Sequence, residues 1–246
     1  MCTCPLPIEC PMNASGIAEN PETSTRRPGT RAHVVAIVPR GEVIRNFVYT
    51  GAFDRVQMEA DLSVLSVLPN EDFRNLLASR YGNVTELRQY PEPYIAGLTR
   101  DVLDIAHNRW LWSAAAQERW RLRRTEARRL PDVLKLWGKR ALCYPFANEK
   151  GLAVLSRIEN TLTHGLRTTD EYVDLFRRTA PSVVFNGSHV HSRNAVQAVN
   201  AARHLRIPTA TFVFSWDNLT SQGRMIPEYD YYFVWNEQIR RDLLGM

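Results

Sequence analysis

The feature that most restricts the fold of this chain is a repeated alternation of short, β-branched apolar runs with stretches whose apolar residues recur at helical spacing. Residues 33–39 (HVVAIVP) form such a run, followed by the turn Arg40-Gly41-Glu42 and by Val43, Phe47 and Val48 at helical spacing. Residues 62–68 give a second buried strand. Pro69-Asn70 punctuates it, and a helix over 71–81 is stopped by Gly82. Residues 84–90 are a third strand candidate, closed by Pro91-Glu92-Pro93. The last third returns to the same plan: helix 170–179, strand 182–185, helix 192–205, strands 209–214 and 231–235, helix 237–244.

Strands separated by helices pair in parallel, and a parallel sheet is covered by helices on both faces. The expected fold class is therefore α/β, a doubly wound parallel sheet of Rossmann-like type. Right-handed crossovers gather its strand-to-helix loops at one edge, where open sheets of this kind bind ligands. Between the two sheet-forming parts lies a helical excursion. Residues 96–129 read as one long helix with Leu98, Val102, Ile105, Trp112 and Ala116 on a single stripe. Pro131 breaks it, a second stretch runs to about residue 137, and residues 150–164 form another helix closed by Gly165.

Residues 1–31 are rich in Pro, Ser, Thr, Asn and Glu and lack the basic start and apolar run of a secretory signal, so they are expected to be a disordered leader to one domain over 32–246. Uncharged stretches such as 182–192 and 207–216 are too short and too broken to span a bilayer. Cys2, Cys4 and Cys10 lie in the leader and Cys143 far from it, a spacing that fits neither a zinc site nor a disulfide framework. The expectation is a reduced, cytoplasmic protein. Its net charge of +5 is concentrated, because residues 96–140 carry eleven Lys and Arg against five Asp and Glu. A local basic surface fits this better than a nucleic-acid coat.

Neither a G-x-G-x-x-G after the first strand nor a G-x-x-x-x-G-K-[ST] occurs, which disfavours a dinucleotide or ATP site. The strand ends carry polar clusters instead: Arg40-Gly41-Glu42, residues 186–192 (NGSHVHS), residues 215–221 (SWDNLTS) and Trp235-Asn236-Glu237. All four clusters succeed a predicted parallel strand, so a doubly wound sheet brings them to one rim. Each also has a plain structural explanation. Gly41 and Gly187 suit tight turns, Ser192 and Asn236 suit helix caps, and Asp217-Asn218 is common turn chemistry. His189 and His191 face the same side of an extended chain, but no third ligand accompanies them, so hydrogen bonding or proton transfer suits them better than a metal. Glu42 could accept a proton from a sugar hydroxyl.

Residues 215–223 (SWDNLTSQG) and 229–237 (YDYYFVWNE) resemble the end of the N-terminal domain in bacterial glycosyltransferases of surface polysaccharide assembly, a branch of the GT-B superfamily. Residues 39–46 (PRGEVIRN) are similar to the first strand-helix junction of that group. The resemblance spans 32–246 and implies an acceptor-side half, with the nucleotide sugar held by a second domain absent from this sequence and with no metal or redox cofactor. It implies Glu42 and Asp217 as catalytic candidates. Arg40, Gly41, Asn186, His189, His191, Ser215, Trp216 and Asn218 are the acceptor-binding candidates. A sugar-nucleotide epimerase half and a non-catalytic glycan- or protein-binding module remain as rivals. Arg121, Arg124 and Arg128, near Trp110, Trp112 and Trp120, suit either an anionic membrane surface at the inner face, where a lipid-linked acceptor would lie, or a solvated helix face.

Overall fold

The computed structural model describes residues 31–67, 70–166, 169–189, 193–215, 217–221 and 225–245. The expected leader, apart from Arg31, and the candidates His191 and Trp216 lie outside the described residues, as does the proposed cap Ser192. Residues 32–246 form one compact unit.

Six described strands build a single all-parallel sheet: β1 (Ala32–Val38), β2 (Ala60–Ser66), β3 (Asn83–Glu86), β4 (Val183–Asn186), β5 (Thr209–Phe212) and β6 (Tyr231–Phe233). Their order is β3-β2-β1-β4-β5-β6. The chain moves outward from β1 to β3, then returns to lay β4 against the free side of β1, pairing Val34 with Val183 through to Ile37 with Asn186. That reversal is the switch point of a doubly wound sheet, and the expected Rossmann-like fold class is what the structure has.

The helices are α1 (Gly41–Val43), which continues as a π-helical turn over Ile44–Val48, then α2 (Ala52–Glu59), α3 (Glu71–Tyr81), α4 (Tyr94–Leu111), α5 (Ala114–Glu126) and α6 (Leu130–Cys143). They are followed by α7 (Glu149–Gly165), α8 (Asp170–Thr179), α9 (Arg193–His204), α10 (Asn218–Ser221) and α11 (Glu237–Leu244). Alternate residues of β1 explain why both faces of the sheet are covered. Val35 and Ile37 pack with Tyr172, Val173 and Phe176 of α8 and with Ala198, Val199 and Ala202 of α9. Ala36 and Val38 pack on the opposite face with Val43, Ile44, Val48, Phe53 and Leu77.

Three sequence expectations need correction. The helix expected over 96–129 is two helices: Trp112 takes φ 39°, and Ser113 caps α5 by accepting from the Ala116 amide at 3.1 Å. A serine hydroxyl that satisfies a free helix-start amide offers the backbone an alternative to continuing the helix, and the apolar stripe alone does not reveal it. Second, α6 runs to Cys143 rather than ending near 137. It buries Cys143 with Val102, Leu103, Ile105, Leu152 and Leu155 in a separate core made by α4, α6 and α7. Third, α2 and α10 are helices that the apolar periodicity does not predict.

Polar contacts tie this helical lobe to the sheet. Arg100, 11% exposed, donates to Glu92 at 2.8 Å and to Glu159 at 3.0 Å. From α9, Gln197 donates to Glu92 at 3.3 Å and accepts from the Tyr90 amide at 2.9 Å. Among the described residues, no helix is long and apolar enough to cross a membrane.

The two rim glycines differ in what they do. A Cβ on Gly187 would sit 2.4 Å from Val43 Cγ1, so the loop after β4 packs directly on α1 and only glycine fits. A Cβ on Gly41 would meet no described atom within 4 Å. Gly187→Ala is expected to lower stability by about 1–3 kcal/mol through overpacking, whereas Gly41→Ala leaves it unchanged or slightly raised. Denaturant titration of both variants checks this; equal losses would contradict the close approach.

Candidate functional site

The site begins where β1 ends. Strand β1 delivers Arg40, Gly41 and Glu42 to the carboxyl rim, and its neighbour β4 delivers Asn186, Gly187, Ser188 and His189 beside them. Ser188 Oγ donates to Glu42 Oε1 at 3.0 Å, and Arg40 Nε lies 3.2 Å from the same oxygen. The Glu42 side chain is 20% exposed, so one carboxylate oxygen is held by the protein while the group still reaches the crevice. Two segments separated by almost 150 residues in sequence thus place a carboxylate, a guanidinium and a hydroxyl at the switch point.

Asn186 is not the acceptor-binding residue that the sequence suggests, because it is fully buried and its groups are occupied. Its Nδ2 donates to the Tyr229 hydroxyl at 2.7 Å, its Oδ1 accepts from the Ser188 amide at 3.3 Å, and its carbonyl accepts from Thr211 Oγ1 at 2.9 Å. Asn186 therefore sets the loop's shape from below the crevice. The phenol of Tyr229 is pushed well above its usual range by burial. It stays protonated and binds this amide in its neutral form.

His189 lies just beyond, on the β5 side. Its Nδ1 is 3.2 Å from the Phe212 carbonyl, an arrangement that requires Nδ1 to carry the proton. Nε2 is then an acceptor; it is buried and has no hydrogen-bond partner among the described residues. Burial, only partly offset by the Phe212 carbonyl, pushes the imidazole pKa down from 6.5 to about 4. The expectation that His189 exchanges protons near neutral pH is corrected accordingly: it is a neutral acceptor there.

The remaining candidates divide. Beyond β5, Ser215 Oγ donates to Asp217, the Asn218 amide donates to the Ser215 carbonyl at 3.2 Å, and Asn218 is buried at the start of α10. β5 is two strands from β1, so this turn stands roughly 10 Å along the rim from the Glu42 loop. Asn236 caps α11, accepting from the Ile239 amide at 3.0 Å, and Trp235 stacks on Phe212 with centroids 6.0 Å apart, so the fourth cluster has a structural use. Among the described residues no three His, Cys, Asp or Glu side chains gather as a metal site would require.

Two site residues are not recognisable from the sequence. Ser188 sits inside one of the polar clusters, yet nothing local marks it as the partner of Glu42. Tyr229 opens the segment 229–237, yet nothing there marks it as the partner of Asn186, 43 positions away. The arginines proposed to face a membrane also need revision: α5 ends at Glu126 and Ala127 leaves helical geometry with ψ 82°, so Arg128 does not continue the row of Arg121 and Arg124. Arg121 is exposed and pairs with Glu118 at 3.1 Å. No protein-family model, curated protein or solved structure matches the chain.

The His189 shift sets a pH window. The unfolded chain binds a proton near pH 6.5 that the folded chain refuses until about pH 4. Stability from this group is therefore complete above pH 6.5 and falls as pH drops toward 4, by on the order of 3 kcal/mol. His189→Asn keeps a donor to Phe212 but cannot titrate, and is expected to flatten the fall measured by denaturant unfolding between pH 7 and 4. An unchanged slope would contradict the buried, neutral imidazole.

Proposed function

We propose that residues 32–246 form the acceptor-side domain of a GT-B type glycosyltransferase, which passes a sugar from a nucleotide sugar to a hydroxyl of a glycan or lipid-linked acceptor. The observation that carries this reading is Glu42, a partly covered carboxylate fixed by Ser188 and Arg40 at the switch point of the sheet. Open α/β sheets bind ligands at such a crevice. There, Glu42 takes the proton of the acceptor hydroxyl as its oxygen attacks the anomeric carbon and the nucleotide diphosphate departs. The Asp217 turn orients the far end of the acceptor. The open space above Gly41 leaves room for a sugar ring against the backbone.

The donor is assigned to a second domain because the chain carries no glycine-rich phosphate loop and the groups at the crevice are suited to hydroxyls. The work takes place at the cytoplasmic side, where nucleotide sugars are made. One observation favours a glycan-binding module without turnover. His189, the rim imidazole, is held neutral by burial and takes up no proton near neutral pH.

Calorimetric titration with UDP-, GDP- and CMP-sugars and with oligosaccharides tests whether the crevice takes an acceptor rather than a donor. The 246-residue chain is expected to bind saccharide but not nucleotide sugar, and to show no turnover alone. Glu42→Gln should keep the fold and weaken saccharide binding about tenfold, the loss of one charge-assisted hydrogen bond. Steady multiple turnover by the chain alone would overturn the acceptor-half assignment.

A further inference from the structure

Away from the crevice, helix α6 inverts the usual arrangement of a surface helix, which turns its apolar stripe to the core and its charges to water. Lys139 and Arg140 are turned toward the interior of the lobe. Lys139 Nζ lies 2.5 Å from Asp101 of α4, and the Arg140 guanidinium carbon sits 4.0 Å from the Trp120 ring centroid of α5. Both are half-buried, as are Val133 and Leu136, and Cys143 on the same side is buried. The opposite side of α6 is apolar and open to solvent. Leu130 is 72% exposed, Leu134 63%, Leu142 55% and Trp137 47%, and Pro131, Gly138 and Ala141 are exposed with them. At about 100° per residue these positions occupy a sector roughly 140° wide that holds no charged side chain.

A single exposed leucine is ordinary, whereas a contiguous apolar face marks an interaction surface. What borders the face selects the partner. Arg124, Arg128, Arg129 and Lys135 are exposed on α6 or just before it, against Glu126 and Asp132 as exposed acids. The acids nearer the core are already engaged, Asp101 with Lys139 and Arg193 and Asp104 with Arg123, so the outward charge is positive. Trp137 stands at the margin of the face and packs edge to face on Trp120 at 5.7 Å, which fixes an indole where apolar surface gives way to polar. An apolar stripe bordered by long cationic side chains, with Trp at its margin, suits the interfacial plane of an anionic bilayer. Leucines enter the acyl boundary there while Lys and Arg reach the headgroup phosphates. With 14 residues α6 is about 21 Å long, so it lies along such a surface rather than crossing it.

We propose that α6 docks this protein on an anionic membrane surface, with Leu130, Leu134 and Leu142 inserted and Arg128, Arg129 and Lys135 on the headgroups. The apolar row of α6, rather than the arginine row of α5, makes the contact. This is independent of the sugar-transfer reading, since it uses neither the crevice nor Glu42.

Sedimentation of the chain with phosphatidylcholine vesicles, with and without phosphatidylglycerol, is the test. Binding to the anionic vesicles is expected to fall as salt rises and to exceed binding to neutral vesicles at least tenfold. Leu134→Glu should weaken it about tenfold or more, through loss of an inserted leucine and repulsion from the headgroups. Its thermal midpoint should not change, because the side chain is exposed. Leu76→Glu makes the same change at an exposed leucine of α3 and should leave binding unaltered. Arg128→Gln/Arg129→Gln/Lys135→Gln keeps the apolar face and should also weaken binding tenfold or more, each cation near such a surface contributing about fivefold. No binding to anionic vesicles at low salt, equal binding to neutral ones, or binding that Leu134→Glu leaves intact overturns the proposal. So does a dimer in size-exclusion chromatography that Leu134→Glu dissociates without any vesicle binding, an outcome that assigns the face to a second copy of this chain.

Discussion

The rim depends on the pairing of β1 with β4. Four residue pairs, from Val34 with Val183 to Ile37 with Asn186, join strands whose connection runs through β2, β3 and the whole helical lobe. Closing so long a connection is entropically costly, and the cost grows only slowly with length once the loop is long. The return is a sheet whose central strand is buried on both faces and a crevice that neither half of the chain could form alone. Gly187 makes the approach possible. With any side chain there, the loop after β4 would be driven off Val43 and Ser188 off Glu42.

Support for that junction is layered. Beneath the crevice, Asn186 links β4 to β5 through Thr211 and to the segment before β6 through Tyr229, so a buried amide side chain and its own carbonyl both contribute to the loop's position. Further out, Arg100 and Gln197 clamp the lobe to the segment after β3 and to α9. Buried charges of this kind contribute little net stability but are costly to break, which fits a role in fixing where the lobe sits. We read the lobe as a second, basic surface joined to the sheet by these polar contacts.

Most of the fold is legible in the residues. The runs 33–39 and 182–185 announce β1 and β4, Gly82 marks the end of α3 with φ 74°, and the helices 71–81, 170–179 and 237–244 have the boundaries expected of them. Apolar periodicity and capping chemistry are local properties, so they survive in sequence. The features that do not show are non-local or competitive: the Ser113 cap that splits a continuous apolar stripe, and the Tyr229 hydroxyl beneath Asn186. Rim clusters can be placed together from topology, but not sorted. Whether Asn186 touches ligand or loop, and whether His189 is charged, depends on burial that sequence spacing does not encode. The same holds for the arginines, where helical spacing points to Arg121 and Arg124 but does not reveal that Arg109 and Arg140 lie over aromatic rings.

The central claim, that the β1/β4 crevice receives a hydroxyl-bearing acceptor, is tested most directly by backbone amide chemical shifts of the 246-residue chain during titration with oligosaccharides. The account predicts that the largest changes fall on Gly41, Glu42, Gly187, Ser188 and His189, with the lobe helices silent. Changes confined to the lobe, or a crevice that answers nucleotide sugars and ignores saccharides, would contradict it.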